Sequence, residues 1–272
     1  MSAAFAPGSV WLVGAGPGDP GLLTLHAAQA LAEADVVLHD ALISPEILAL
    51  ARGRREHVGK RAGGRRTPQL RIQDRLIGLA RQGLRVLRLK GGDPLLFGRG
   101  GEEAVALAAA GIPFRIVPGI SAASGAAAAA GMPLTHRTLA RSVAFATGHD
   151  ADGRLPEQPD LATLGRAVDT LVMFMPLRQA GAIAARLLSG GRDPATPAAL
   201  VSDATTPRQA VRRTTLAGLA AAAATVPHAA PTLLVVGPTV ALADLIGPAI
   251  ADAGSASACP APLAAPARRR TV

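Results

Sequence analysis

The sequence is poor in several residue types that carry much of protein chemistry. Among 272 residues there are one cysteine, one tryptophan, five phenylalanines and no tyrosine, and only Lys60 and Lys90 of the 28 basic residues are lysines. The single cysteine, Cys259, excludes an internal disulfide and a cysteine-based zinc site. The few aromatic side chains argue against a surface for single-stranded nucleic acid, because such surfaces stack bases on aromatic rings.

Long apolar runs are also missing. No window approaches the roughly 20 apolar residues of a membrane span, and no basic segment precedes an apolar one at the N-terminus. We therefore expect a soluble, cytoplasmic protein without a membrane or nucleic-acid partner. The six histidines show no metal-ligand spacing, so we expect no metal. A hydrophobic content of 49% supports a large core, and the formal net charge of +9 predicts an anionic partner.

Apolar runs and segments of helical periodicity alternate along the chain. This alternation predicts an α/β fold with mostly parallel sheets. We place an N-terminal tail at residues 1–8, a first α/β domain at 9–118, a second at 119–252 and a disordered basic tail at 253–272. The boundary near Pro118 separates two successive sets of strands and helices.

Two glycine-rich loops follow predicted strands and are candidate binding loops. In residues 14–21 the glycines let a ligand approach backbone N–H groups at the end of a strand. A dinucleotide site with Asp40 as the ribose-binding acid is disfavoured because Pro17 and Pro20 delay the following helix; a purely structural turn is the other alternative. Residues 88–103 combine five glycines with three basic and three acidic residues. For the two glutamates of this segment a structural role is the alternative, because negative side chains are favourable at a helix N-terminus.

These loops belong to a longer series of motifs. The series comprises residues 13–24, 58–61, 88–103, 117–122, 133–137 and 147–149, with sequences VGAGPGDPGLLT, VGKR, RLKGGDPLLFGRGGEE, VPGISA, PLTHR and TGH. In this order, over about residues 10–245, they resemble the uroporphyrinogen-III C-methyltransferases of the tetrapyrrole methylase family. The run 88–103 followed by 133–137 is the most specific part.

The resemblance implies a fold, a reaction and an assembly. Two α/β domains of the class III methylase type enclose a ligand cleft, and the chain forms a homodimer. S-adenosylmethionine is the methyl donor, S-adenosylhomocysteine is the product, and no metal takes part. Two carbons of uroporphyrinogen III are methylated to give precorrin-2, which leads to sirohaem and cobalamin. The basic net charge then matches a polycarboxylate substrate.

The resemblance also assigns residues. Asp40 is the expected proton acceptor, and Lys60 is the expected proton donor or else an anchor for a substrate carboxylate. The expected donor-binding residues are Pro17, Gly91, Gly92, Asp93, Leu96, Ser121, Ala122, Met175 and Ala204. The expected substrate-binding residues are Arg61, Arg88, Arg99, Arg137 and His136. Met175 as an ordinary core residue, each arginine as a plain ion pair and His136 as a structural histidine are the competing interpretations.

Several positions depart from the family pattern. His39 and Phe174 stand where tyrosine is common, Gln73 where asparagine is usual and Ala204 where glycine is expected. None of these changes removes a proposed catalytic group. Three other functions remain open, namely a methyltransferase of a later corrin intermediate, an RNA ribose methyltransferase of the same fold and a non-catalytic protein that retains the donor cleft.

Overall fold

The computed structural model describes residues 4–58, 69–150 and 152–247, which form two five-stranded sheets with helices packed on them. The strands are β1 Val10–Gly14, β2 Val36–His39, β3 Arg54–His57, β4 Val86–Lys90, β5 Phe114–Val117, β6 Val143–Thr147, β7 Thr170–Phe174, β8 Pro197–Ser202, β9 Ala210–Thr215 and β10 Thr232–Val236. The helices are α1 Leu25–Glu33, α2 Pro45–Ala49, α3 Gln69–Arg81, α4 Gly100–Ala109, α5 Ala122–Ala129, α6 Leu161–Ala167, α7 Ala180–Ser189 and α8 Leu219–Ala224.

The first sheet is parallel throughout, in the order β3-β2-β4-β1-β5. Alternate residues of β1 point to opposite faces, as the two-residue period of a strand requires. Trp11 and Val13 pack in the cluster that contains α1 and α2, whereas Val10 and Leu12 pack in the cluster that contains α3 and α4. Both faces are covered, which explains the unbroken apolar sequence of this strand.

The second sheet has the order β6-β7-β10-β8-β9 and is mixed. Strands β6 and β7 are parallel, while β10 is antiparallel to both β7 and β8, and β8 is antiparallel to β9. The prediction of an α/β fold in two sheets is confirmed, but the expectation of a mostly parallel second sheet is wrong. Residues 203–209, which join β8 to β9, are too few for the crossover that a parallel pair needs.

Strand directions place several loops at corresponding edges of the two sheets. The first sheet ends at Gly14, His39, Lys90 and Val117 on one edge, because its strands are parallel. In the second sheet β6, β7 and β8 all end beside the start of β10, where Thr232 pairs with Ser202 and Leu233 with Phe174. The loops that follow these strand ends carry most of the candidate residues.

The predicted tail at residues 1–8 and the predicted boundary near Pro118 can be compared with the packing. Phe5 is buried and stacks on Trp11 with 4.6 Å between ring centroids, so the described part of that segment packs on the first sheet. Helix α5 contributes Ala123 and Ala126 to the core of the second sheet. The tail at 253–272 lies outside the described residues. No described helix is long and apolar enough to cross a membrane.

Candidate active site

Three loops at the edge of the first sheet meet at glycines. A Cβ built on Gly14 would lie 2.5 Å from the carbonyl oxygen of Gly92 and 2.6 Å from the Cα of Gly119. Gly16 donates to the Gly92 carbonyl at 3.2 Å, and Gly92 donates back to the Gly16 carbonyl at 2.7 Å. Side chains are therefore excluded where the loops after β1, β4 and β5 touch, and the backbone itself forms the floor of the site.

Asp93 fixes two of these loops to each other. Its Oδ1 accepts a hydrogen bond from the Leu95 N–H at 2.8 Å, and its Oδ2 accepts one from the Gly119 N–H at 3.1 Å. Asp93 is only half-buried, so part of it remains accessible to a ligand. Ser121 caps α5 by accepting from the Ala123 N–H at 3.2 Å, and Ala122 begins that helix.

The loop after β1 also contacts α5 and the loop after β8. The Asp19 N–H donates to the Thr205 hydroxyl at 3.2 Å. A Cβ on Gly125 of α5 would lie 2.5 Å from Pro17 Cγ, and one on Gly18 would lie 2.7 Å from Thr206 Cγ2. Ala204, which is nearly buried, lies in this same contact. The predicted Pro17 and Ala204 thus both lie where the loop after β1 meets α5 and the loop after β8.

Backbone strain concentrates in the same loops. Left-handed φ angles are rare outside glycine and cluster at functional sites. In the described part of the chain the residues with positive φ other than glycine are Phe97 (53°), Arg99 (60°), Met175 (55°), Asp203 (47°) and Thr205 (63°). All five follow β4, β7 or β8 at the edges described above. The strain marks the same region that the sequence motifs indicate.

An apolar surface adjoins the floor. Met175 is 42% exposed, which argues against its alternative role as an ordinary core methionine. Phe97, from the loop after β4, contacts Phe174 at the end of β7 with 4.8 Å between ring centroids. Leu96 is half-buried next to Phe97. A ligand that has both an apolar and a charged part fits these residues together with Asp93.

Asp40 and a buried ion network lie at the end of β2. Arg88 is 2% exposed and donates from Nη2 to Asp40 Oδ1 at 2.6 Å and from Nε to Glu103 Oε1 at 3.0 Å. Lys90 Nζ lies 3.3 Å from each carboxylate oxygen of Glu103. Asp40 itself is 29% exposed, so it connects this interior network to the open side of the site.

Burial and the neighbouring charges shift the pKa values of Arg88 and Lys90 in opposite directions. Burial favours the neutral form of Arg88, but the carboxylates of Asp40 and Glu103 outweigh it and raise the pKa of Arg88. Burial lowers the pKa of Lys90, and repulsion from Arg88 lowers it further, while Glu103 and Asp40 offset only part of the effect. Arg88 is therefore the permanent cation of the network.

The remaining predicted substrate residues are more dispersed. Arg99 forms a two-pronged ion pair with Glu102, whose carboxylate accepts from Nε at 2.9 Å and Nη2 at 2.6 Å. Arg137 is exposed, and the ring of His136 contacts the Thr138 hydroxyl at 3.2 Å. Lys60 and Arg61 lie outside the described residues. The predicted roles of these residues stay predictions.

The departures from the family pattern have visible contacts. His39 packs its ring against His57 with 5.4 Å between centroids, and Gln73 donates to the Glu102 carbonyl at 3.2 Å. The described residues contain no cluster of three or more His, Cys, Asp or Glu side chains placed to hold a metal ion.

Sequence reasoning missed three residues of this region. Glu103 was given only a helix-terminus alternative, whereas it is completely buried among Arg88, Lys90 and Gln69. Thr205 and Phe97 were not proposed at all, although each makes a contact between residues or loops of the first sheet and those of the second. The signal for Glu103 was available, because Glu103 lies four residues before Leu107, and this spacing places both on the same, buried face of α4.

Comparisons with known proteins agree with these motifs. The family model described as tetrapyrrole (corrin/porphyrin) methylases matches residues 9–220. A uroporphyrinogen-III C-methyltransferase of Sinorhizobium sp is 52% identical over 242 residues, which cover 88% of this chain and 86% of the relative. A siroheme synthase of Neisseria meningitidis serogroup B is 54% identical over 239 residues, which cover 86% of this chain and 48% of the relative. The chain thus spans about half the length of that relative.

A solved structure gives the same result in three dimensions. The uroporphyrin-III C-methyltransferase of Thermus thermophilus, complexed with S-adenyl homocysteine, has a TM-score of 0.76 and 41% sequence identity. The match covers 86% of this chain and 99% of that structure. Both the motifs and the fold extend over most of the described residues, and the chain therefore belongs to the family of tetrapyrrole (corrin/porphyrin) methylases.

Proposed function

We propose that the chain is an S-adenosylmethionine-dependent C-methyltransferase that methylates uroporphyrinogen III twice to give precorrin-2 for sirohaem synthesis. The observation that carries this proposal is the placement of Asp40, a partly exposed carboxylate held by buried Arg88, at the same sheet edge as the glycine floor. A methyltransferase needs a donor site and a nearby base, and this edge supplies both.

The donor occupies the glycine floor and the surfaces around it. S-adenosylmethionine supplies an already activated methyl group when it is bound. Asp93 and the glycine backbone hold its polar parts, and Met175 and Leu96 contact its apolar part. Pro17, Ser121, Ala122 and Ala204 complete the walls. The contribution of these residues is orientation, since methyl transfer requires an in-line approach.

Asp40 accepts the proton that the substrate ring loses after methylation. It stands at the carboxyl end of a parallel strand, where open α/β sheets bind their ligands. Lys60, Arg61, Arg99, Arg137 and His136 bind the carboxylates of the substrate or donate a proton to it. The arginines suit this task because a guanidinium pairs with a carboxylate through two hydrogen bonds.

The assembly and the compartment follow from the same proposal. We place the enzyme in the cytoplasm as a homodimer. Light scattering after gel filtration tests the dimer, for which we expect twice the chain mass of 27.4 kDa. A mass of one chain at micromolar concentration would contradict it.

A choice among acceptors tests the proposed reaction against its alternatives. Purified protein is supplied with labelled S-adenosylmethionine and, in separate anaerobic reactions, with uroporphyrinogen III, a later corrin intermediate or bulk RNA. We expect label in uroporphyrinogen III only. Label in a corrin intermediate or in RNA would favour those alternatives, and donor binding without any transfer would favour a non-catalytic protein.

A further inference from the structure

Four charged side chains form a compact group behind the proposed base. This group, the buried quartet, consists of Asp40 after β2, Arg88 and Lys90 on β4, and Glu103 on α4. It contains two cations and two carboxylates. Three of the side chains are at least 96% buried, whereas Asp40 is 29% exposed. Asp40 is thus the member through which the quartet reaches a ligand.

All three nitrogens of the Arg88 guanidinium are engaged. Nε donates to Glu103 and Nη2 to Asp40, while Nη1 donates to the carbonyls of Leu38 at 3.4 Å and Leu89 at 3.3 Å. A planar guanidinium with every nitrogen bonded has one orientation. Arg88 is therefore placed to fix Asp40 rather than to follow a substrate carboxylate.

Glu103 fixes Arg88 in turn. Its Oε1 accepts from Arg88 Nε at 3.0 Å and from Gln69 Nε2 at 3.0 Å, and Lys90 Nζ lies 3.3 Å away. A carboxylate without solvent exposure that meets two cations is costly to bury unless all partners are present. Helix α4 thereby determines the position of a side chain on β4, which determines the position of Asp40.

The bond from Arg88 also distinguishes the two oxygens of Asp40. Oδ1 is occupied by Arg88 Nη2 at 2.6 Å. Within residues 4–58, 69–150 and 152–247, no hydrogen bond to Oδ2 is found. Oδ2 is thus the oxygen that remains for a substrate proton.

We propose that Arg88 and Glu103 are positioning residues that act through Asp40, holding its Oδ1 so that Oδ2 faces the substrate. The inference rests on the proposed function, in which Asp40 is the base. It replaces the expected role of Arg88 as a direct partner of a substrate carboxylate. Neither Arg88 nor Glu103 touches the reacting atoms in this account.

A double-mutant cycle tests the inference. Turnover is measured for the wild type, Asp40→Asn, Glu103→Gln and the double variant, and donor affinity is measured by calorimetry with S-adenosylhomocysteine. We expect Glu103→Gln to lower kcat roughly tenfold in the wild-type background and less than about twofold in the Asp40→Asn background, with donor affinity unchanged, because coupled residues are not additive. Equal losses in both backgrounds would overturn the inference and assign Glu103 a general structural role.

A matched control lies at the opposite ends of the same two strands. Asp35, just before β2, pairs with Arg85, just before β4, at 2.7 Å. Asp35→Asn removes an ion pair between the same two strands that is more exposed and lies away from the site, and we expect its effect on kcat to be small and independent of Asp40. If Glu103→Gln fails to fold, Arg88→Lys takes its place in the double-mutant cycle. Lysine keeps the positive charge but lacks the planar guanidinium that bonds Glu103 and Asp40 at the same time. Additive losses for Arg88→Lys would equally overturn the inference.

Failure of the proposed function is distinguishable from failure of this inference. A wild-type chain that binds the donor but methylates nothing contradicts the proposed function. The position of Asp40 is then decided by the crystal structure of the Glu103→Gln variant, in which we expect the contact between Arg88 Nη2 and Asp40 Oδ1 to be lost. An unchanged contact would overturn the positioning role whatever the activity.

Discussion

Asp40 is partly exposed toward the site and is held in place by a buried partner, Arg88. Its carboxylate is 29% exposed and accepts from Arg88 at 2.6 Å, so it meets a ligand without losing its orientation. Lys90 is nearly completely buried beside Glu103, which a compact ammonium suits better than a second guanidinium fork. The presence of lysine at this position, in a sequence that otherwise uses arginine, thus has a structural reason.

Replacing Asp40 by asparagine should separate chemistry from donor binding. The amide cannot accept the substrate proton as a carboxylate does, so we expect turnover to fall by about 10²–10⁴-fold. Affinity for S-adenosylhomocysteine, measured by calorimetry, should change less than about twofold, because Asp40 is not among the donor residues. A folded Asp40→Asn protein with wild-type turnover would show that another group is the base.

At the scale of elements, the loops after β1, β4 and β5 depend on glycine for their contact. Gly14 faces the backbone of Gly92 and Gly119 at distances that no side chain tolerates. Gly78 on α3, by contrast, has no atom within 4 Å of the position of a Cβ. The two glycines therefore form a matched pair for substitution by alanine.

Gly14→Ala should destabilise the fold and impair donor binding together. The added methyl group would press on the carbonyl of Gly92 and separate the loops, at a cost of about 2 kcal/mol, as for overpacked cores. Gly78→Ala should instead stabilise the protein by about 0.5–1 kcal/mol, because alanine favours a helix interior. Urea unfolding and calorimetry with S-adenosylhomocysteine measure both effects. Unimpaired donor binding by Gly14→Ala would contradict the glycine floor.

The ion pair at the starts of β2 and β4 makes stability depend on pH. Hydrogen bonds from the Arg85 side chain hold the pKa of Asp35 below its ordinary value near 3.8. The pair therefore stabilises the fold above that ordinary value and loses its contribution as the pH falls through the lowered pKa. We expect Asp35→Asn to lose about 1 kcal/mol at pH 7 and progressively less below pH about 4, in urea unfolding. A difference that does not change with pH would contradict the assignment.

Much of the element order was predictable, but not all of it. The sequence predicts β1 and β10 readily, because their residues are buried on both faces and form nearly continuous apolar runs. Strand β4 is equally buried but carries Arg88 and Lys90 among its apolar residues. Helix α6 was missed, since it is short and follows a polar, proline-rich segment; it starts where Asp160 accepts from the N–H groups of Ala162 and Thr163. The motifs located the candidate site. The buried quartet depends on how α4 packs against β4, and the local sequence does not show which side chains of the two elements meet.

At the scale of the molecule, the site joins the two sheets through a few contacts. The Asp19 N–H meets the Thr205 hydroxyl, and Phe97 meets Phe174. Among the predicted substrate arginines, Arg88 and Arg99 are already paired with carboxylates. The formal net charge of +9 adds a long-range attraction for a polycarboxylate substrate to the direct contacts proposed above.

Added salt should selectively lower the catalytic efficiency with the tetrapyrrole substrate. Long-range attraction is screened over about 10 Å at 0.1 M ionic strength, so we expect kcat/KM for uroporphyrinogen III to fall as salt rises. The KM for S-adenosylmethionine, which carries a single net positive charge and not several negative ones, should not rise with salt and serves as the internal control. Equal salt effects on both substrates would indicate a general effect on the protein instead.

The most direct test of the account is the number of methyl groups that the purified chain adds to uroporphyrinogen III. The wild type and Asp40→Asn are each incubated anaerobically with uroporphyrinogen III and excess S-adenosylmethionine. The mass of the tetrapyrrole is then followed over time by mass spectrometry. The account predicts a singly methylated intermediate and then a doubly methylated product for the wild type, with both steps strongly slowed in Asp40→Asn. A wild-type chain that binds the donor and leaves the mass of uroporphyrinogen III unchanged would contradict it.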